Sequence, residues 1–399
     1  MDSSTRLIHQ IMRSILARWV SIVTISAVSV AGIILVVSLL LIRGQNQMLI
    51  VQKSQLQLEI HTLMTELNTV RNEDQYVKNA QLSEKIKRIQ TTYTSALSAY
   101  ETLLDLRAIS ANTTSLDTQF ADILSLLSHE QWSTASAELQ TLSSNIAQAK
   151  AKFTVTAINL TNVTQSNTAP TSGYSRQKVT ADGNQYVVDI VAGDLSSTKV
   201  IVDTASSADC ANNCPTLPLS DYVARNGAYA GVNGSYFCPA EYPSCAGKTN
   251  SFDTLLMNKN KTYFNSANNV YSTVPAVIFL GSSLRFVGQS LEWGRDTSPD
   301  SLIANRPLLV SGGNIVFSGA GEPKEGNKGN RSFVANKGTV AYIGVVHNAS
   351  VAESAIVLHE LGMDNALNLD DGGSTALWSG GYKAGPGRNI PNAILFVRK

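Results

Sequence analysis

The chain has almost no net charge: Lys and Arg number 31 against 30 Asp and Glu in 399 residues, a balance of +1. It therefore carries no basic footprint for a nucleic-acid backbone, and no nucleic-acid partner is expected. Histidine is scarce, at five residues. His61 and His129 lack ligand-type neighbours three or four positions on, which reads as surface rather than metal. Cysteine is limited to four residues, Cys210, Cys214, Cys238 and Cys245. Proline is missing from Gln45 to Leu160 and aromatics are sparse there, which excludes a turn-rich sandwich over that stretch.

The most local absence is of charge, between Trp19 and Ile42. At roughly 1.5 Å per residue this run spans about 36 Å, enough to cross a bilayer with some tilt. A cleaved signal peptide is the alternative, but its apolar region would be roughly 7–15 residues, and no convincing small-residue cleavage site follows. Arg6, Arg13 and Arg18 precede the run, with Arg43 and Lys53 behind it. By the positive-inside rule residues 1–18 are cytoplasmic, 19–42 a single transmembrane helix in the cell membrane, and the remainder outside.

Residues 45–160 read as a helical stalk. Leu49, Leu56, Ile60, Leu63, Leu67, Val70 and Val77 follow heptad-like spacing, interrupted by Lys53 and Asp74, and a second run continues from Leu82 to Leu104. Ser110–Thr114 marks a break, after which a helix is expected from Leu116 to Phe153. A hairpin within the chain and self-association as a coiled coil both fit. Residues 161–174 form a polar linker with Pro170 and Gly173, and Asn159 and Asn162 head N-x-T sequons.

From residue 175 to 399 short β-type runs separated by turns take over: 185–190, 199–202, 276–280, 308–310, 340–346 and 393–397. Two helices are expected, one over 219–226 and one opened by a capping box, Ser350 with Glu353, and closed by Gly362. The fold class is α+β, strand-rich with few helices. Four cysteines confined to the outer portion read as two disulfides, with the local pairs 210–214 and 238–245 preferred among three pairings. A zinc site is the rival, with spacings that fit no common cluster.

The stretch richest in chemistry is Asn368-Leu369-Asp370-Asp371-Gly372-Gly373-Ser374, a short strand running into a sharp turn. Glycines let backbone N–H groups approach a ligand, and carboxylates handle protons or attack an electrophile, although an exposed turn uses the same residues. Preceded by a helix ending His359-Glu360-Leu361-Gly362, this run resembles the signature of the phosphodiester glycosidase family. Three further stretches extend the resemblance in order: Gly227–Phe237 with Asn233-Gly234, Asn330–Ala335 with Arg331, and Gly387–Leu395 with Arg388. The stalk and anchor fall outside it. The chain departs from the family's pattern at Asp371, where a glycine is usual, and at His347, in a segment that often holds Asp-Gly.

The resemblance implies a hydrolase that cleaves sugar-1-phosphodiester bonds, of the N-acetylglucosamine-1-phosphodiester type, in glycans or envelope polymers. Its catalytic group would comprise Asp370 (nucleophile, base or oxocarbenium stabiliser), Asp371 and Arg331. Glu360 is the alternative second acid. Arg331 and Arg388 would hold phosphate bidentately, with Asn233, Gly372, Gly373, Ser374 and His347 lining the substrate. His359 reads as structural. No cofactor is implied; Asp364, Asp370 and Asp371 offer hard oxygen ligands to a divalent metal, without a recognisable motif. A catalytically silent glycan- or phosphate-binding module on the same fold is the alternative function.

Overall fold

The computed structural model describes residues 4–72, 74–109, 112–157, 163–265, 273–293, 298–319 and 326–399. The chain divides into two compact units, Met1–Lys87 and Arg88–Lys399.

In the first unit the helix α1 spans Ser4–Asn72 and α2, Asp74–Ile109, begins. Ile8–Asn72 is apolar and long enough to cross a membrane. The heptad-like side chains beyond the apolar run are all exposed in the single chain, from Leu49 at 61% to Val77 at 42%.

In the second unit, the C-terminal part of α2 packs with α3, Thr114–Ser128, and α4, Trp132–Ala157, as a small bundle. Its core is Leu103 and Leu106 of α2, Ile123 and Leu127 of α3, and Leu139, Leu142 and Ile146 of α4. The helix expected from Leu116 onward is thus two helices. The chain reverses at Glu130, which takes φ of +57° between them. Ser110, Ala111 and the two sequon asparagines lie outside the described residues.

The remainder is a strand-rich α+β domain with three sheets. The largest runs in the order Thr164–Gln165, Gly173–Ala181, Asn184–Asp194, Val340–Ala349, Gly329–Lys337, Asn365–Asn368, Leu308–Ser311 and Asn314–Ile315. All its pairings are antiparallel except the first, through which residues 164–165 of the expected linker join the sheet edge. Alternation sorts its side chains between two cores. Ile190, Phe333, Tyr342 and Ala366 face the helix α6, Val351–Glu360, and Val191, Val334, Ile343 and Leu367 face the other two sheets. Gly344 permits this layering, because a Cβ there would strike the Asp189 carbonyl and the Phe333 ring.

A five-stranded sheet contributes Tyr382–Ala384, Leu377–Ser379, Ala230–Asn233, Asn392–Arg398 and Thr198–Thr204 in that order, covered by α5, Leu219–Asn226. The third sheet, also five-stranded, orders Tyr263–Phe264, Leu256–Met257, Ser301–Ala304, Ala276–Leu280 and Ser283–Val287. Both send apolar side chains, among them Val232, Ile394, Phe279 and Ile303, into the core shared with the large sheet. The capping box of α6 is formed: Glu353 N–H donates to Ser350 Oγ at 3.1 Å and Ser350 N–H to Glu353 Oε2 at 2.7 Å. The cysteines pair locally, Cys210 with Cys214 and Cys238 with Cys245.

Candidate active site

The site forms where the strand Asn365–Asn368 leaves the large sheet and the chain turns through a 3-10 stretch, Gly372–Ser374, towards the second sheet. Asn233 fixes this turn from the neighbouring strand. Its Nδ2 donates to the Asp370 carbonyl at 2.7 Å, while its Oδ1 accepts from Ser332 Oγ at 2.7 Å and from Ala376 N–H at 3.0 Å. Asn233 has no exposed surface, so both ends of its amide serve the chain. Gly234 lets the strands meet, because a Cβ would collide with Asn392, and its carbonyl accepts the Asp370 N–H at 2.9 Å.

The two acids lie in different surroundings. Asp370 is buried, and that burial pushes its carboxyl up to about 8, aided by the charge of Asp371 and opposed by the Ser374 hydroxyl and Arg388. Asp371 is likewise raised by burial, but it faces a cation: Arg331 Nη1 donates to Oδ2 at 2.9 Å, with 8% and 10% of the two side chains exposed. Asn368 Nδ2 at 3.1 Å and the Tyr236 hydroxyl at 3.4 Å donate to the same oxygen. The other oxygen, Asp371 Oδ1, is buried without a hydrogen-bond partner. An orphaned carboxylate oxygen in the interior costs on the order of 1–3 kcal/mol, which points to an external donor for it.

Arg331 is held by its own strand register, with Nε donating to the Ala349 carbonyl at 2.9 Å and Nη2 to the Asn327 carbonyl. Arg388 arrives from the loop before the strand Asn392–Arg398, its N–H donating to the Gly373 carbonyl at 2.8 Å. Its guanidinium crosses Gly373 so closely that a Cβ there would fall 3.1 Å from Cζ. The structure therefore brings Asp370, Asp371, Gly372, Gly373, Ser374, Arg331, Arg388 and Asn233 into one place.

His347 sits beside it. Its Nε2 lies 2.7 Å from Asp189 Oδ2 and its Nδ1 3.0 Å from Asn330 Oδ1, and the ring is 7% exposed. Asn330 is tied to the turn through its carbonyl, which accepts from Thr375 Oγ1 at 3.3 Å. His359 and Glu360 are exposed at the end of α6, and Asp364, at the far end of the strand from Asp370, accepts the Gly338 N–H at 2.7 Å. Among the described residues no three His, Cys, Asp or Glu side chains converge as a metal site.

Four participants were not singled out in the sequence. Tyr236 and Asn368 lie inside quoted motifs. Tyr242 lies in the loop closed by the Cys238–Cys245 disulfide, and its ring sits 5.1 Å from the Arg388 guanidinium. Asp105 comes from α2 and forms an ion pair with Arg388. Nothing in its local sequence separates Asp105 from an ordinary solvated helix position.

These features define a mainly antiparallel α+β domain built round a buried pair of acids and two guanidinium groups. Residues 226–397 match the phosphodiester glycosidase family, so the resemblance of the C-terminal domain to that family is shown. Among solved structures, a hypothetical protein from Synechocystis is 15% identical, with a TM-score of 0.41 over 56% of this chain. This chain spans 62% of that protein's length. The catalytic domain of zebrafish N-acetylglucosamine-1-phosphodiester alpha-N-acetylglucosaminidase, auto-inhibited by its pro-peptide, is 15% identical with a TM-score of 0.45, over 59% of this chain and 87% of that one. No curated protein matches this sequence.

Proposed function

We propose that the C-terminal domain hydrolyses the bond between a sugar's anomeric carbon and a phosphodiester oxygen, of the N-acetylglucosamine-1-phosphodiester type, in a glycan or envelope polymer. The observation that carries this reading is the contrast between the acids. Asp370 holds its proton up to about pH 8, and Asp371 beside Arg331 presents an unpartnered oxygen. Both carboxyls are raised by burial, but Asp371 pairs directly with a guanidinium, which favours its ionised form and suits it to the base role.

In this reading a water oxygen bonds to the anomeric carbon as the carbon–oxygen bond to phosphate breaks. Asp370 gives its proton to the departing phosphate oxygen, and the water gives one to Asp371 Oδ1. Arg388 neutralises the phosphate, and Gly372, Gly373 and Ser374 add donors from the turn. Acid–base assistance of this kind contributes about 10²–10⁴ in rate. The apolar run in α1 would anchor the protein in the cell membrane with residues 1–18 cytoplasmic. The exposed seam from Leu49 to Val77 would pair with a second copy, and the domain would act outside, where its disulfides persist.

The binding-module alternative draws support from Arg331, whose guanidinium is already engaged by Asp371 and two carbonyls. One assay separates the two. Full-length protein is incubated with a panel of sugar-1-phosphodiesters and free sugar is quantified against Asp370→Asn. Release that disappears in the variant supports the hydrolase; ligand binding without release from any of the panel replaces it with the module.

A further inference from the structure

The helical bundle reaches into the candidate site. Asp105, two residues before the described end of the α2 side chains, extends its carboxylate over the Gly372 turn, where a Cβ on Gly372 would come 3.3 Å from Asp105 Oδ2. Its Oδ1 accepts from Arg388 Nη2 and from the Tyr242 hydroxyl, the latter at 2.8 Å. The ion pair is largely closed to water, with 10% of the Arg388 side chain and 16% of the Asp105 side chain exposed. One turn earlier on the same face Glu101, 5% exposed, accepts from the Ser244 hydroxyl in the loop that carries Tyr242. Two acidic residues of one helix face thus dock on a single disulfide-closed loop and on the guanidinium beneath it.

The chemistry of the Asp105 contacts is that of an anion seat. A guanidinium edge, a phenol donor and a glycine turn lacking side chains surround one carboxylate, and a phosphate oxygen is recognised by the same groups. Asp105 and an incoming phosphate cannot both occupy it. A phosphate approaching Arg388 meets the Asp105 carboxylate at the position where its own oxygen belongs, in a region where water screens poorly. The Arg388 side chain crosses Gly373 and packs against the Tyr242 ring, contacts that hold its guanidinium where Asp105 meets it.

We propose that Arg388, Tyr242 and the Gly372–Gly373 turn form a phosphate seat whose resident is the Asp105 carboxylate, and that a phosphate-bearing ligand enters by displacing α2 from the site. The substrate class rests on the hydrolase reading; the seat itself and its resident rest on the contacts alone. Tyr242 thereby becomes a ligand-binding residue contributed by the disulfide-closed loop, and Asp105 a competitor contributed by the bundle. Displacement breaks the contacts at Asp105 and Glu101 together, because both lie on one helix face.

The test uses full-length protein in detergent, titrated with inorganic phosphate. Asp105→Asn keeps the size of the side chain and an oxygen to accept from Tyr242 but removes the competing charge, so phosphate affinity should rise at least about tenfold over wild type. Adding Tyr242→Phe or Arg388→Met to Asp105→Asn should cancel the gain. Unchanged or weaker phosphate binding by Asp105→Asn, in protein that melts cooperatively, overturns the proposal and makes Asp105 a support for Arg388. In wild type, which needs no variant to fold, saturating phosphate should speed hydrogen exchange of the segment from Leu97 to Arg107; slowed or unaltered exchange overturns it as well. The two readings fail separately. A gain in phosphate affinity with no sugar release from any substrate leaves the seat standing and removes the hydrolase, whereas sugar release with Asp105→Asn unchanged in KM and in phosphate affinity does the reverse.

Discussion

Replacing Asp371 with alanine strands the Arg331 guanidinium in the interior, and the structure allows the cost to be built up. The pair is closed to solvent, with 8% and 10% of the side chains exposed, and breaking a buried pair by removing one partner typically costs about 3–5 kcal/mol. Three features pull the value toward the lower end. Arg331 keeps two carbonyl acceptors, Ala349 and Asn327, and Asn368 Nδ2 keeps the Leu369 carbonyl at 2.8 Å. Removing the orphaned Oδ1 also relieves an existing penalty of order 1–3 kcal/mol. The expected net loss is about 3 kcal/mol. Replacing both members with apolar residues of similar size, Arg331→Met with Asp371→Leu, should recover most of it. Urea unfolding of the full chain in detergent, followed by near-ultraviolet circular dichroism, reads both. A loss below about 1 kcal/mol for Asp371→Ala, or a double variant as unstable as the single one, would refute this account of the pair.

Two other perturbations address the neighbouring groups. The Asp370 carboxyl, held near 8 by burial against an ordinary value of about 3.9, keeps a proton in the folded state that the unfolded chain releases. Its contribution to stability is therefore complete below about pH 4 and is lost as pH rises towards 8, with a slope approaching 1.4 kcal/mol per pH unit. Asp370→Asn should flatten that slope in melts between pH 5 and 8, and an unchanged slope would place the titration elsewhere. Gly373→Ala puts a methyl group into the Arg388 guanidinium. Phosphate affinity, measured by calorimetry, should fall at least tenfold, with the melting temperature lowered by only a few degrees; unaltered affinity would mean that Arg388 does not carry the anion.

Legibility in the sequence followed the range of the forces involved. The helix Leu219–Asn226 and the Ser350–Glu353 capping box are local events, and both appear where their residues announce them. The reversal between α3 and α4 is different: it rests on Glu130 in a left-handed conformation, which residues with a Cβ seldom adopt. The allocation of strands to three sheets was also hidden. Ser301–Ala304 and Ala230–Asn233 are buried on both faces and show no alternation to mark them. Within the site, Asp370, Arg331 and Arg388 could be picked from stretches that resemble the family's motifs, and Asp371 from its place beside Asp370, where it departs from that pattern. His347 was visible only as a polar residue at a strand end; its partner Asp189 lies far away in sequence, and the sheet register alone brings them to 2.7 Å. Asp105 was not legible at all. A carboxylate on a helix reads as a solvated position until the bundle is folded against the domain.

Sugar release tests the central claim most directly. Full-length protein and its Asp370→Asn variant are given an N-acetylglucosamine-1-phosphodiester at neutral pH, and free N-acetylglucosamine is measured over time. Release by the wild type, at least about a hundredfold slower in the variant, is the expected result. Equal release by both proteins, or none from a panel of sugar-1-phosphodiesters by folded wild type, would contradict it.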